Sequence, residues 1–565
     1  MNKSDYDWGG FRSWIHSVAV VTFDLELGQV IENTFPECKT LDELDQLSEQ
    51  DRTNICYLAF PDSNSGIMGD IQFHFRIRRT AGHNVGPPAA AAALANFNAR
   101  CLPPLQLDQN FLFGFAYFRQ VKDSSIRRGY YQKSVILLTY LPLVSFFSQI
   151  SAIVAKKFFE NGDLPLEIFC HDVDRWPAPT PGHHLTLPML GSLIELHIPA
   201  LSSRHTDNSN ETVTVSGGGV SVPNLPDLYP TLLPLLEHLH CLWELVLTAE
   251  PVVVLAPSPF QCSSTVQALT TIIQPLRYVA DYRPFYTIHD ADLKEMTTSN
   301  SSALPSILLG VTNPFFNKAL EHWPNLVRLA EPSSLSALKS PSKTKRSSST
   351  KFKSETKPGV FTQSKPHLEK DREIVKRILK GVQLRRPAEV QTALLRRYFL
   401  ELTQTFLIPL ERYLAGLMPL ARSISPYRAP PKVKPFNADE FIRSLEQSGP
   451  QLTSRTKGDW AALYRRFLKS PNFVGWFNAR HAEVSSKLSL LHLECLSEAK
   501  IEIWMEGKAE VELVDMVLRI RGKLTEGDRT GLPISDIVKE RLETHVRKIV
   551  STLPEDLQAV IESKS

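Results

Sequence analysis

The sequence predicts a multi-module protein of mixed class: an α+β module, then an α/β module, then an all-helical part. Three observations carry that prediction. Residues 14–180 read as sheet strands followed by one long amphipathic helix. Residues 222–330 alternate helices with short apolar strands, the pattern of an α/β lobe. From residue 371 onward, apolar residues recur at helical spacing.

The first module opens with "HSVAVVTFDLELGQVIENTFP", two β-rich runs around Leu27-Gly28, which is a hairpin signal. "NICYLAFP" (54–61) and "DIQFHFRIRR" read as the next strands. In the second of these, Ile71, Phe73, Phe75 and Ile77 alternate with Gln72, His74, Arg76 and Arg78. The Gly/Pro/Ala stretch at 80–105 reads as a mobile insertion. "FLFGFAYFRQVKD" then pairs with "QKSVILLTY" across the tip "SSIRRGYY", completing an antiparallel sheet.

Between Lys133 and Lys156 lie 22 residues without formal charge. A bilayer span needs about 20 mostly apolar residues, so length alone allows one. Polarity argues against it: Ser134, Thr139, Ser145, Ser148, Gln149 and Ser151 are costly in hydrocarbon without partners. Pro142 also divides the run. "SVILLTY" before it reads as a buried strand. After it, Leu143, Phe146, Phe147, Ile150, Ile153, Val154 and Phe158 form the apolar stripe of a helix that Gly162 stops. The reading is strand, proline, helix, with no transmembrane segment.

Residues 201–221 are a polar linker. In the second module, "LPDLYPTLLPLLEHLHCLWELVLTAE" reads as a helix made irregular by Pro230 and Pro234. "PVVVLA" is a continuous apolar strand of the kind found in parallel sheets. "SPFQCSSTVQALTTIIQPL" is a helix with serine N-cap candidates, and "RPFYTIHD" and "PSILLGV" are further strands. Residues 331–370 carry nine Lys/Arg against three acidic residues and few apolar groups, so disorder is expected there.

Composition narrows the function classes. The chain has 565 residues, 42% hydrophobic and 22% charged, with a mean hydropathy of -0.15. A net charge of +3 gives no argument for a nucleic-acid partner. The seven cysteines are scattered and form no CxxC, which suits reduced thiols. "MNKSDYDWGGFRSW" lacks the apolar core of a secretory signal.

Catalytic motifs are missing. The chain contains no GxxxxGK[ST], GxSxG, HExxH or strand-linked GxGxxG. His183 and His184 lie beside prolines. In "EHLHC", His238 and His240 sit about 200° apart on a helix and cannot share an ion. With His238 and Cys241 alone the ligand set is incomplete, so these side chains read as core or partly exposed residues. Asp172 and Asp174 read as turn or cap residues. No catalytic residue, metal or cofactor is expected, and the function is expected to lie in surfaces.

Five stretches carry a family resemblance: "SWIHSVAVVTFDLELGQVIENTFP", "FGFAYFRQVKDSSIRRGYYQKSVILLTYLPLVSFFSQI", "TPGHHLTLPMLGSLIELHIP", "PSILLGVTNPFFNKAL" and "YRRFLKSPNFVGWF". The chain resembles DENN-domain proteins, and within them the DENN domain-containing protein 6 group. The resemblance implies an upstream longin-like module (11–200), a linker (201–221), a central α/β DENN module (222–330), a basic linker (331–370) and a downstream helical module (371–565). It implies guanine-nucleotide exchange on a Rab-family small GTPase, GDP-bound or nucleotide-free, without covalent chemistry. The implied setting is the cytoplasm, with peripheral association to recycling endosomes. The alternative is a Rab effector or trafficking scaffold that binds the GTP form.

No motif transfers exchange contacts residue by residue. Two stretches are nominated on physical grounds as partner-binding. Arg127, Arg128 and Tyr130 stand at a hairpin tip, where loops meet partners. Asn313, Phe315 and Phe316 follow the end of a buried strand, where α/β lobes gather binding sites.

Overall fold

The computed structural model describes residues 8–36, 47–62, 68–79, 94, 96–125, 129–200, 220–221, 226–298, 304–330, 358–419, 424–430, 432–452, 455–530 and 532–562. The chain divides into two compact units, Met1–Phe406 with Pro450–Asn472, and Leu407–Gly449 with Phe473–Ser565.

The first unit starts with a short helix α1 (Gly9–Arg12) and a five-stranded antiparallel sheet. Its strands are β1 (Ser17–Asp24), β2 (Gly28–Phe35), β3 (Gly69–Arg78), β4 (Phe111–Lys122) and β5 (Tyr130–Thr139), in the order β2-β1-β5-β4-β3. Both faces of the sheet are buried. Phe113, Phe115, Tyr117, Val135 and Leu137 face one core, and Leu112, Ala116, Phe118, Ile136 and Leu138 face the other. That alternation is the strand period of two applied to a sheet covered on both sides.

Of residues 54–61, expected as a strand, 54–58 belong instead to helix α2 (Glu49–Leu58), which covers the second face, and 59–61 follow it. The Ile55–Leu58 run is β-rich, but the capping signal lies upstream. Ser48 accepts from the Asp51 N–H at 3.0 Å, and Glu49 and Asp51 favour the positive end of the helix.

Helix α3 (Val144–Asn161) covers the first face. It buries Phe146, Phe147, Ile150, Val154 and Phe158 and ends at Gly162, whose φ of 75° favours glycine. The run from Lys133 is therefore β5 and α3. Among the described residues no helix is long and apolar enough to cross a membrane.

Helix α4 (Leu164–Asp174) holds the two acids read as turn or cap residues. They act at longer range. Asp174 accepts from the Phe11 N–H in α1, and Asp172 from the Leu190 N–H, both at 2.9 Å. Leu190 joins β6 (His184–Met189) to β7 (Ser192–His197), a hairpin that a two-residue β8 (Val220–Ser221) extends. Part of the expected insertion is core. Phe97, Cys101 and Leu105 are buried, and Cys101 bridges to Ala200, while 80–93 lie outside the described residues.

The second sheet is parallel in β10 (Asp281–Tyr286), β11 (Ile307–Val311), β9 (Val252–Leu255) and β12 (Asn325–Arg328), in that order. Its last strand, β13 (Gly359–Thr362), pairs antiparallel with β12. β13 comes from the segment expected to be disordered, so order resumes before residue 370. The Glu244 carboxylate on helix α5 (Leu239–Leu247) explains the hold, accepting from the N–H groups of His367 and Leu368 at 2.8 Å each. Helix α6 (Pro259–Thr271), capped by Ser258, packs between the two sheets. Helices α7 (Arg372–Gln383) and α8 (Ala388–Leu417) follow.

The second unit is helical: α9 (Ala438–Ser448), α11 (Pro471–Ser497), α12 (Glu510–Thr530), α13 (Asp536–Val550) and α14 (Glu555–Glu562), while α10 (Trp460–Phe467) belongs to the first unit. Leu493, Leu496, Val517, Ile520, Leu542 and Ile549 form its core. Helices α8 and α11 each contribute residues to both units.

Gly114 in β4 stands opposite Phe75 of β3, and a Cβ there would lie 2.2 Å from the Phe75 ring. Gly114→Ala should cost about 1–3 kcal/mol through overpacking. Denaturant unfolding would show this as a lower midpoint with an unchanged slope.

Candidate functional site

The chemistry-bearing part of the first unit is the seam where β3, the edge of the first sheet, meets α6 and β10 of the second lobe. Arg76 of β3 donates to Asp281 at 2.8 Å and to the Tyr282 carbonyl at 3.2 Å. Its guanidinium lies 3.3 Å from the Phe111 ring centroid and 4.1 Å from that of Tyr282. Phe73 meets Phe285 at 4.9 Å, and the His74 N–H points at Ser263 Oγ of α6. His74 and Arg76, on the polar side of the alternation, are thus buried rather than solvated.

These contacts fix a direction. Arg76 meets the start of β10 and Phe73 its end, so β3 and β10 run antiparallel. The carboxyl ends of β10 and β11 therefore lie toward Gly69, the start of β3. Gly69 is opposite Gln120, close to the tip joining β4 to β5. Tyr130, at the start of β5, thus stands at the same end of the seam as the residues that follow β11.

At that end Asp62 forms a clasp. Its Oδ2 accepts from the Ile288 N–H at 3.3 Å, and its Oδ1 and carbonyl accept from Asn313 Nδ2 at 3.3 and 3.2 Å. Burial raises its carboxyl pKa, opposed by those hydrogen bonds. Beside it Tyr57 stacks on His289, with centroids 4.4 Å apart. Asp290, whose carboxyl burial pushes up to about 6, accepts from the Thr287 N–H at 2.7 Å and pairs with Arg283. An open groove of about 530 Å³ leads away between β2 and α2, lined by Ile31, Asn33, Arg52, Thr53, Cys56 and Tyr57.

Asn313, Phe315 and Phe316 divide. Asn313 is half-buried in the clasp, and its Oδ1 accepts from the Phe315 N–H at 2.9 Å. Phe315 is 52% exposed, an uncovered aromatic ring at the strand end. Phe316 is 1% exposed and packs on Tyr286, which corrects its nomination: a ring in the core offers no partner surface. Tyr130 is exposed at the start of β5, paired with Lys122. Arg127 and Arg128 lie outside the described residues. Sequence reasoning missed Asp62, Tyr57 and His289. Their sole sequence signal was the "FPDSNSG" turn composition at 60–66.

Among the described residues, no group of three or more His, Cys, Asp or Glu side chains is placed to hold a metal ion. The histidines of "PGHHL" and "EHLHC" fit this: His184 stacks on His197 across β6–β7, and burial lowers the pKa of His238 and His240. The six described cysteines are free thiols.

The first unit thus joins two sheets along one seam with a clasped, aromatic end. The comparisons with known proteins give the class. A family model described as "Transport protein Avl9" matches residues 15–169, and one described as "DENND6 C-terminal domain" matches 501–564. Mouse Protein DENND6A is 45% identical over 559 residues, covering 98% of this chain and 91% of the mouse protein. Human Protein DENND6B is 45% identical over 559 residues, covering 98% and 94%. The Dictyostelium discoideum Protein DENND6 homolog is 31% identical over 612 residues, covering 96% and 81%. The chain is therefore a DENN-domain protein of the membrane-traffic class. More narrowly, it belongs to the DENND6 family.

The buried His74 sets a pH dependence of the seam. Burial lowers its pKa to about 3, and its Nε2 has no hydrogen-bond partner. The unfolded chain takes up this proton below about 6.5 and the folded chain refuses it, so acidification favours unfolding. Between pH 7.5 and 5.5 this residue should remove about 1.4 kcal/mol of stability. Denaturant titrations at both values should show a loss about 1.4 kcal/mol smaller in His74→Phe than in the natural protein, the remainder coming from other buried histidines such as His238 and His240.

Proposed function

We propose that this protein is a guanine-nucleotide exchange factor for a Rab-family GTPase, acting in endosomal and recycling traffic. It would work in the cytoplasm with peripheral attachment to recycling endosomes. The observation that carries the site is the exposed Phe315, held by the Asn313–Asp62 clasp at the mouth of the seam between the longin-like and DENN lobes. An exposed aromatic ring on a rigid base is the usual anchor of a protein interface. The hairpin tip with Arg127, Arg128 and Tyr130 is the second element of the surface.

The proposed mechanism needs no proton transfer. A Rab holds nucleotide through its phosphate-binding loop, magnesium and two mobile switch segments. A partner that binds the empty conformation best must weaken nucleotide binding by the same factor, because coupling between sites is reciprocal. Repacking the switches against Phe315 and the groove would suffice. Family membership and the geometry of the seam support this reading. The partner is the GDP-bound or nucleotide-free GTPase.

The test is release of fluorescent GDP from a panel of purified Rabs. Acceleration on one or two members is expected, and Phe315→Ala should cut it about 10-fold or more while leaving stability unchanged. Phe316→Ala, by contrast, should cost about 3–5 kcal/mol of stability. If no Rab responds and the protein instead captures a GTP-loaded one, it is an effector and the exchange reading is wrong.

A further inference from the structure

The turn between α7 and α8 has features that the exchange surface does not use. Over residues 372–390 there are six cations, Arg372, Lys376, Arg377, Lys380, Arg385 and Arg386, against two carboxylates, Glu373 and Glu389. All eight side chains are exposed. The ion pairs flanking this region use other residues, Lys370 with Glu237 and Arg397 with Glu401, and none of the six cations forms one among the described residues.

Aliphatic side chains sit among these charges. Leu379 is 45% exposed, Val382 41%, Leu384 57% and Val390 52%, four exposed aliphatics clustered about one turn rather than scattered singly. The helix does not lack a core face, since Ile374, Val375 and Ile378 are buried on its other side. The two exposed leucines and two exposed valines are therefore a surplus.

The tip is also rigid. Gly381 is buried, and a Cβ there would lie 2.1 Å from Gln391 Nε2, which donates to the Ile378 carbonyl at 3.2 Å. The Arg386 N–H donates to the Gly381 carbonyl at 2.9 Å, and Arg385 takes a φ of 52°, closing the helix in the manner of a left-handed cap. Leu384, Arg385 and Arg386 are presented by a locked turn rather than by a loose loop.

We propose that the outer face of α7 and its turn into α8 dock on the anionic cytoplasmic leaflet of a membrane, with Leu384 and Val382 entering the headgroup layer. Charge complementarity selects this occupant. Each Lys or Arg near such a surface adds to binding, and aliphatic side chains between cations add burial at the acyl boundary. The whole chain has a net charge of only +3, so the attraction is local to this face. The face lacks the aromatic residues that anchor protein interfaces.

The full chain should be sedimented with phosphatidylcholine vesicles containing about 30% phosphatidylserine, and with pure phosphatidylcholine vesicles. Binding is expected to the first and not the second, and to weaken with salt. Arg385→Gln with Arg386→Gln should weaken it about 30-fold. Leu384→Ser, which leaves the charge unchanged, should weaken it several-fold. Absence of binding to the anionic vesicles, or undiminished binding by the double variant, overturns the proposal. Binding to soluble polyaspartate that equals vesicle binding, with Leu384→Ser silent, would also overturn it and mark an acidic-protein site.

Discussion

The architecture of the first unit depends on one buried cation. Arg76 is 8% exposed, and an unpaired charge at such a site costs several kcal/mol. Its partners come from both sheets: the Phe111 ring from the first, and Asp281 and Tyr282 from the second. Removing Asp281 leaves the guanidinium without its counter-ion. A slide of the lobes along β3 by one residue would carry Asp281 and Tyr282 about 3.3 Å away from the guanidinium and forfeit these contacts.

That constraint also sets the geometry at the far end of the seam. Asp62 lies in the loop after α2, while Ile288 and Asn313 lie in the second lobe, more than 220 residues away in sequence. A single half-buried carboxylate holds both only because β3 and β10 are already in register. Phe315 takes its backbone position from Asn313, whose side-chain Oδ1 accepts from the Phe315 N–H. The backbone that carries the exposed ring is therefore fixed, although the ring touches little itself.

Most elements were legible in the sequence because their signals are local. The "SVILLTY" run, Pro142 and the helical stripe up to Gly162 specify β5 and α3 without tertiary help. The "PVVVLA" strand and the Ser258 cap are equally self-contained. The failures occur where a long-range partner overrides a local pattern. Residues 54–61 look β-rich, yet the Ser48 cap and the bare second face of the sheet make 54–58 the end of a helix. Residues 358–370 look like linker, yet the backbone groups of His367 and Leu368 are held by Glu244. Phe315 and Phe316 show the limit within a site. The sequence presents two equal rings, and only the path of the chain after β11 decides that one is core and its neighbour is surface.

Perturbed carboxyl groups usually point to catalysis. Here the two largest cases have structural duties. Burial pushes Glu244 up to about 7, and it spends both oxygens on the backbone of 367–368. Asp290 is pushed to about 6 and is taken by Thr287 and Arg283. Neither oxygen pair faces the groove between β2 and α2, whose lining carries no carboxylate other than Glu32. Glu32 in turn is paired with Lys133 at 2.7 Å. These perturbed carboxylates thus hold segments together, and the groove is left with amide, hydroxyl, thiol and aromatic groups beside Arg52 and the paired Glu32.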